Sequence, residues 1–81
     1  APTHVLLVPK AHAANVTEAD PALVGYMLGK AGQIAAELGI REKGFRLVIN
    51  TGEDGGQTVQ HLHIHLLGGK PMGWPPFPPE K

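Results

Sequence analysis

Three histidines occupy alternate positions within five residues, at His61, His63 and His65. We predict that they lie on a β-strand running from Val59 to Leu67, because side chains in a strand alternate between its two faces. The three imidazoles would then share one face, spaced about 6.5–7 Å apart. An exposed chance run is the simplest alternative, but three imidazoles presented side by side favour a chemical role.

Two chemistries suit such a row of imidazoles. Imidazoles two residues apart on a strand can share a zinc ion, and a catalytic zinc commonly takes three protein ligands and leaves one position open. Alternatively, a neutral imidazole nitrogen can attack phosphorus while neighbouring imidazoles move protons and stabilise charge. Because histidine titrates at about pH 6.5, both of its protonation states are accessible at neutral pH.

The segment before the histidines favours the phosphorus chemistry. Asn50 is followed by Gly55, Gly56, Gln57 and Thr58, which lead almost directly into His61. Glycines expose backbone N–H groups, and the Gln and Thr side chains add further donors, which is suitable equipment for binding an oxyanion such as phosphate. Taken alone, this segment would be interpreted as an ordinary hairpin turn. Beside three histidines it indicates a phosphate site.

The rest of the chain predicts an α+β fold, an antiparallel sheet with one long helix on one face. Val5–Val8 is an aliphatic run that we expect to be a central strand buried on both faces. Phe45–Asn50 and Val59–Leu67 are separated by a glycine-rich segment, which predicts an antiparallel hairpin. The aliphatic residues between the histidines would face the helix.

A helix of about five turns is predicted from roughly 20 to 38, because apolar residues recur there at three- and four-residue steps. Thr17-Glu18-Ala19-Asp20 has the shape of a capping box, and Asp20-Pro21 is an alternative N-cap and first helical residue. Gly39 is a natural stop. Gly25, Gly29 and Gly32 leave a smooth patch on this helix. Either a helix from a second subunit packs there, or the glycines only make the helix locally flexible.

Composition excludes several classes of protein. The chain has 81 residues, a formal net charge of zero and no cysteine. It lacks the basic stripe of a protein that binds a nucleic acid polymer, and no apolar run is long enough to span a bilayer. The absence of cysteine fits a reducing compartment, and no signal-peptide pattern is present. We therefore expect a cytoplasmic protein that does not contact membranes.

The segment His61–Leu67 has the form His-φ-His-φ-His-φ-φ, where φ is hydrophobic. It resembles the signature of the histidine triad (HIT) superfamily of nucleotide hydrolases and transferases. Pro2–Lys10 resembles the central strand of that family, and Asn50–Thr58 its phosphate loop. Gly68-Gly69, followed by Met72, Trp74, Pro75 and Pro76, resembles the C-terminus of the Hint branch, the purine nucleoside phosphoramidases.

The resemblance implies a role for each histidine of the motif. His63 matches the nucleophile that takes the nucleotidyl group, with its other ring nitrogen donating to a backbone carbonyl. His65 matches the histidine that contacts the phosphate, and His61 the one that supports and polarises the site. His4 matches a fourth histidine, which sits behind the triad in a proton relay. His12 is expected to be a connector histidine without a direct catalytic role.

The resemblance also implies the ligand contacts. Trp74 matches a tail residue that reaches toward the partner subunit's site and shapes substrate choice. The other residues that match positions in contact with a nucleoside monophosphate are Asn50, Gly56, Gln57 and Thr58, together with His63 and His65. The implied ligand is a purine nucleoside monophosphate or one of its conjugates, and no metal or other cofactor is required.

In the family, further residues precede the point that matches Ala1. They form a short helix and a β-hairpin that help to hold ribose and base. We therefore expect residues 1–81 to be one HIT domain, its C-terminal two-thirds, with the N-terminal part missing. The resemblance further implies a homodimer joined through the long helix and the Phe45–Asn50 strand. The alternatives are a zinc-binding protein that uses the histidine row, and a nucleotide-binding or scaffold protein without catalysis.

Overall fold

The computed structural model describes residues 2–76, so Ala1 and residues 77–81 of the predicted single domain lie outside the described residues. The elements are β1 (Thr3–Leu7), α1 (Pro21–Glu37), β2 (Phe45–Val48) and β3 (Ile64–Gly68). Both β1 and β2 pair with β3 in antiparallel orientation, which gives the strand order β1-β3-β2. The predicted α+β class, with one helix beside an antiparallel sheet, is confirmed.

The helix α1 begins after Asp20, the alternative of the two predicted N-caps and not the capping box at Thr17, and it ends just before Gly39 as predicted. The Asp20 side chain accepts a hydrogen bond of 3.2 Å from the backbone N–H of Ala22, and Pro21 follows as the first helical residue. At the other end Leu38 caps the helix, and Gly39 has a φ of +76°, a left-handed conformation that glycine adopts without steric cost. Residues 2–76 contain no helix that is long and apolar enough to cross a membrane.

The core lies between α1 and the aliphatic face of the segment that carries the histidines. Leu62, Ile64 and Leu66 are 1%, 0% and 0% exposed, respectively. The first two cluster with Met27 of α1, and Leu66 clusters with Ala35 of the same helix. The histidines that alternate with these residues are only half-buried. Packing against the helix therefore fixes which face of the segment carries the imidazoles.

The predicted position of β1 is wrong. Within residues 2–76 it lies at an edge of the sheet, and β3 is the central strand. Burial on both faces is also wrong, because Leu6 is 55% exposed and Val8 is 58% exposed. The alternate residues Val5 and Leu7 pack into the core. Leu6 and Val8 are therefore aliphatic for a different reason. They line a cleft in front of the histidines.

The predicted bounds of the other two strands need correction. β2 ends at Val48 instead of Asn50, and β3 begins at Ile64 instead of Val59. His61 and His63 therefore precede the strand. The reason is that the backbone there bonds to a connector and not to a neighbouring strand, since Leu62 N–H donates to the Ala13 carbonyl at 2.7 Å. Alternation of buried and half-buried residues nevertheless continues through this segment.

The glycine patch on α1 is open in the described part of the chain. A Cβ atom added at Gly25, Gly29 or Gly32 would meet nothing within 4 Å. None of the three glycines is therefore required by packing within residues 2–76. Pairing of this face with a second subunit stays a prediction.

Candidate functional site

All five histidines of the chain form one row, in the order His12, His61, His63, His65 and His4. Ring centres lie 5.2 Å apart for His12 and His61, and 5.1 Å apart both for His63 with His65 and for His65 with His4. His63 and His65 are the pair that lies two residues apart in the sequence, and their ring centres are closer than the spacing of about 6.5–7 Å expected along a strand. The imidazoles thus lie side by side, as predicted from their spacing.

The geometry of His63 fixes its tautomer. Its Nδ1 lies 2.8 Å from the carbonyl oxygen of His61. A carbonyl oxygen can only accept, so Nδ1 must carry the hydrogen and donate it. In the neutral ring the lone pair therefore resides on Nε2, the nitrogen available to attack an electrophile. The family resemblance implied this backbone hydrogen bond, and the structure contains it.

A cleft of about 370 Å³ lies beside this imidazole. It is lined by His61 and His63 on one side and by the aliphatic side chains of Leu6, Val8 and Val59 on the other. Each of the three aliphatic side chains is more than half exposed. The cleft therefore combines an apolar wall with a row of imidazoles, which suits a ligand with one apolar part and one anionic part.

The His61 imidazole is held at both ring nitrogens. Its Nε2 donates to the carbonyl of Pro9 at 3.1 Å, which leaves Nδ1 as the acceptor in the neutral ring. That Nδ1 lies 3.3 Å from Nδ1 of His12, which then donates. His12 therefore contacts the row, a placement that the sequence did not predict. Periodic patterns cannot fix the path of the 9–14 connector, so no sequence signal located this residue.

His65 and His4 form the other end of the row. The Nε2 of His4 lies 2.8 Å from Nδ1 of His65. Burial lowers the pKa of His65, and the neighbouring charges of His63 and His4 lower it further. Each of these causes penalises the protonated ring. The lowered pKa favours the neutral imidazole of His65, and a single hydrogen can lie between its Nδ1 and Nε2 of His4.

This lowered pKa makes folding stability depend on pH. Because the unfolded chain binds a proton at His65 more readily than the folded chain does, the free energy of unfolding should fall as pH drops from 7 to 5. We expect a His65→Asn variant to lose part of that fall. Urea unfolding at pH 7.0, 6.0 and 5.0 measures it. Equal dependence in the variant and the wild type would show that His65 makes no contribution.

The segment between β2 and His61 is a self-bonded loop. Asn50 Nδ2 donates to the Gly55 carbonyl at 2.7 Å, so the Asn50 side chain closes the loop. A Cβ atom at Gly55 would overlap the carbonyl of Thr51, and Gly56 has a φ of +77°. Both positions therefore require glycine, one because of close approach and the other because of its left-handed backbone. Thr58 is exposed beside this loop.

The expected role of Gln57 as a side-chain donor to the ligand needs correction. Gln57 is only 9% exposed. Its Oε1 accepts from Gly52 N–H at 2.9 Å, and its Nε2 donates to the carbonyls of Ala14 at 2.6 Å and Val59 at 3.0 Å. Both amide hydrogens are thus used inside the protein. Gln57 braces the loop against the connector and does not present a free donor to a phosphate.

The residues present do not form the three-histidine metal site considered from the sequence. No group of three or more His, Cys, Asp or Glu residues in positions 2–76 is placed to hold a metal ion. The ring nitrogens approach each other in pairs only, at 3.3 Å between His12 and His61 and at 2.8 Å between His4 and His65.

The tail after β3 carries Trp74, which is 78% exposed. The guanidinium of Arg46 on β2 lies 5.6 Å from the centre of its ring. The expected reach of Trp74 toward a partner subunit stays a prediction. The site therefore comprises the histidine row, the apolar cleft, the closed loop and this tail.

Comparison with known proteins gives this arrangement a family. The profile of the HIT domain matches residues 1–72. An uncharacterized HIT-like protein of Synechocystis is 54% identical over an alignment of 79 positions that covers 94% of this chain and 68% of that protein. The chain thus spans about two thirds of the length of this relative.

Two relatives have names that state a property. The purine nucleoside phosphoramidase of Escherichia coli is 43% identical over 76 residues, covering 90% of this chain and 64% of that protein. The 14 kDa zinc-binding protein of maize is 44% identical over an alignment of 81 positions that covers 94% of this chain and 62% of that protein.

A solved structure agrees with the fold. The crystal structure of a HIT family hydrolase from Legionella pneumophila superimposes with a TM-score of 0.90 at 44% sequence identity. The match covers 95% of this chain and 71% of the Legionella chain. The family profile, the relatives and the solved structure agree, and the chain belongs to the HIT domain family, the histidine triad proteins.

Proposed function

We propose that the protein is a hydrolase that cleaves the P–N bond, or a related bond, of nucleoside 5′-monophosphate conjugates through a nucleotidyl-histidine intermediate on His63. The observation that carries the proposal is the 2.8 Å hydrogen bond from His63 Nδ1 to the His61 carbonyl. It leaves Nε2 unprotonated in the neutral ring, beside a cleft of about 370 Å³. Adenosine phosphoramidates are the representative substrates, and neither a metal ion nor another cofactor takes part.

In the first step Nε2 of His63 attacks phosphorus in line with the leaving amine. The P–N bond to the amine breaks, and the leaving nitrogen takes a proton from solvent or from a neighbouring imidazole, which the second step replaces. The His63 ring gains positive charge as its bond to phosphorus forms. Its Nδ1–H then donates to the His61 carbonyl more strongly than in the free enzyme, because hydrogen bonds from charged donors are stronger than neutral ones. That differential interaction lowers the barrier.

In the second step water attacks the same phosphorus, and the bond to Nε2 of His63 breaks. The monophosphate leaves and the neutral imidazole is restored. A proton from the water passes to solvent or to a neighbouring imidazole. Across both steps the substrate and one water become a nucleoside monophosphate and a free amine. His63 therefore acts as a catalyst and is unchanged overall.

His65 is proposed to hold the phosphate, with His4 behind it. A neutral His65 can donate from Nε2 to a phosphate oxygen only if its Nδ1 acts as an acceptor. His4 Nε2, 2.8 Å away, is placed to donate to that Nδ1. His4 would thus set the tautomer of His65 and relay protons. Asn50, Gly56 and Thr58 are proposed to bound the phosphate from the loop side, with Gln57 bracing that loop.

The relatives support a hydrolase of this kind. One is named a purine nucleoside phosphoramidase, and the Legionella protein is named a HIT family hydrolase. The chain covers 64% and 71% of these two proteins, and it contains the whole histidine row. We further propose that the ligand is a purine nucleotide, that the protein forms a homodimer joined through α1 and β2, and that it is cytoplasmic.

Turnover of a defined substrate tests the proposal. We expect the protein to convert adenosine 5′-phosphoramidate to adenosine monophosphate and ammonia, which phosphorus NMR follows directly. A product that contains phosphorus bonded to oxygen from labelled water would show hydrolysis. Binding of adenosine monophosphate with no turnover of the phosphoramidate would instead favour a nucleotide-binding protein without catalysis.

A metal-binding role is the second candidate, because of the contact between His12 and His61. Zinc bonds to imidazole nitrogen are about 2.0–2.1 Å long, so two nitrogens on one tetrahedral ion lie about 3.3 Å apart. The Nδ1 atoms of these residues are separated by 3.3 Å. Residues 2–76 supply no third ligand nearby. Elemental analysis of the purified protein decides, and activity that chelators stop and zinc restores would favour this candidate.

A further inference from the structure

The peptide unit between His61 and Leu62 is bonded at both of its polar groups. Its carbonyl oxygen accepts the hydrogen bond from Nδ1 of His63 at 2.8 Å. Its N–H donates to the carbonyl of Ala13 at 2.7 Å. Because the unit is planar and trans, its N–H and its carbonyl point in opposite directions. The bond to Ala13 therefore fixes the direction from which the carbonyl of His61 meets the imidazole of His63.

The same peptide unit joins these two hydrogen bonds into one chain. Donation to the Ala13 carbonyl polarises the unit and strengthens its own oxygen as an acceptor, because hydrogen bonds in series reinforce one another. Ala13 is 8% exposed and belongs to the core cluster that contains Leu62 and Ile64. The tautomer of His63 is thus set from a buried residue of the connector that joins β1 to α1.

The connector, residues 9–14, is held from one side by the ring of His61. Nε2 of this ring donates to the carbonyl of Pro9 at 3.1 Å. Its Nδ1 lies 3.3 Å from Nδ1 of His12, which donates to it. Within residues 2–76, His12 is the one connector residue whose own side chain makes a hydrogen bond. It therefore attaches the connector to the histidine segment immediately before Ala13.

A second attachment lies immediately after Ala13. Nε2 of Gln57 donates to the carbonyl of Ala14 at 2.6 Å. This bond comes from the loop that precedes the histidines and involves no imidazole. Loss of the His12 side chain would therefore shift the connector on one side of Ala13, while the bond from Gln57 keeps it attached on the other.

The position of His12 is not explained by packing in the core. His12 is exposed, whereas the buried side chain of the connector is that of Ala13. The rings of His12 and His61 are inclined by 59°, so they are not stacked face to face. Their contact is the hydrogen bond between the two Nδ1 atoms. An exposed imidazole with one specific bond can be replaced without removing apolar contacts from the core.

We infer that His12 is a positioning residue for the proposed nucleophile: it holds the connector so that the Ala13 carbonyl orients the His61–Leu62 peptide, which in turn keeps the hydrogen of His63 on Nδ1. The inference rests on the proposed function, because it concerns the availability of Nε2 of His63. His12 acts through the connector and through His61, and it does not contact the reacting atoms.

The tautomer of His63 in the free protein tests this inference without substrate. Long-range proton–nitrogen NMR of protein labelled with ¹⁵N-histidine distinguishes a ring protonated at Nδ1 from one protonated at Nε2. We expect the Nδ1–H form in the wild type and a measurable fraction of the Nε2–H form in His12→Leu. A His12→Asn variant should restore the wild-type signals, because its amide nitrogen takes the place of Nδ1 as a donor.

The matched control is Lys10→Met, an exposed substitution in the same connector, which should leave the signals of His63 unchanged. All samples are first dialysed against a chelator, so that a zinc ion shared by His12 and His61 makes no contribution. Circular dichroism and urea unfolding should show that each variant is folded. Wild-type signals of His63 in folded His12→Leu would overturn the inference.

Turnover of adenosine phosphoramidate provides the second test. In His12→Leu, kcat should fall about 5- to 30-fold, less than the roughly 100-fold cost of misplacing a reacting group by 1 Å. KM should stay within about twofold of the wild-type value, because uniform substrate binding is not removed. His12→Asn should recover most of the lost kcat, and an unchanged kcat in His12→Leu would contradict the role. If the wild type shows no turnover, the proposed function fails, while the NMR signals still decide whether His12 controls the tautomer of His63.

Discussion

Replacing His63 with alanine should abolish turnover, slowing hydrolysis of adenosine phosphoramidate by at least about 10⁴-fold, as is usual when a nucleophile is removed. The reason is that Nε2 of this ring is the atom proposed to bond to phosphorus. No neighbouring histidine donates a hydrogen bond from its Nδ1 to a carbonyl in the same way. Steady-state kinetics on the purified variant measures the effect.

The matched control is His63→Asn, which keeps a polar side chain of similar shape near the His61 carbonyl. We expect this variant to bind adenosine monophosphate largely as the wild type does, by calorimetry, while it fails to turn over substrate. His61→Ala and His65→Ala should slow turnover less than loss of His63. Full activity in His63→Ala would refute the assignment of the nucleophile.

Truncation of Leu66 should have the largest effect on stability. Leu66 is fully buried between the sheet and α1, in a cluster with Ala35 and Ile40. Leu66→Ala should reduce the free energy of unfolding by about 2–5 kcal/mol, since it removes buried methyl groups and leaves a cavity. Leu66 follows His65 directly, so the same variant should also loosen the pairing of His65 with His4. Urea unfolding and phosphoramidase activity measure the two effects.

Leu38→Ala is the control for this truncation, because the chemistry is identical and Leu38 is 47% exposed. Its cost should be within about 0.5 kcal/mol, as for most surface substitutions. Equal losses of stability in the two variants would show that the packing of Leu66 does not determine how the histidine face is oriented.

The features that the sequence predicts well are those set by local periodicity and capping. Asp20-Pro21 and Gly39 delimit the helix because N-caps, a first-turn proline and a left-handed glycine act within a few residues. The alternation of His61 to Leu66 predicts which face packs on the helix, since side chains alternate even where the strand hydrogen bonds are missing.

The features that the sequence predicts poorly depend on contacts between distant segments. An aliphatic run cannot reveal whether it is buried on both faces or lines a cleft, and Leu6 and Val8 line a cleft. The start of β3 depends on the bond from Leu62 to Ala13, which no local pattern encodes. Gln57 and His12 likewise take their roles from the 9–14 connector.

The central claim is that a covalent bond forms between phosphorus and Nε2 of His63. The most direct test mixes excess protein with adenosine phosphoramidate, quenches within one turnover at alkaline pH, and locates the adduct by fragmenting the peptide that contains residues 61–65. The account predicts one adenylyl group on His63, and none in His63→Asn. Turnover with no adduct at any time, or an adduct on a different residue, would contradict it.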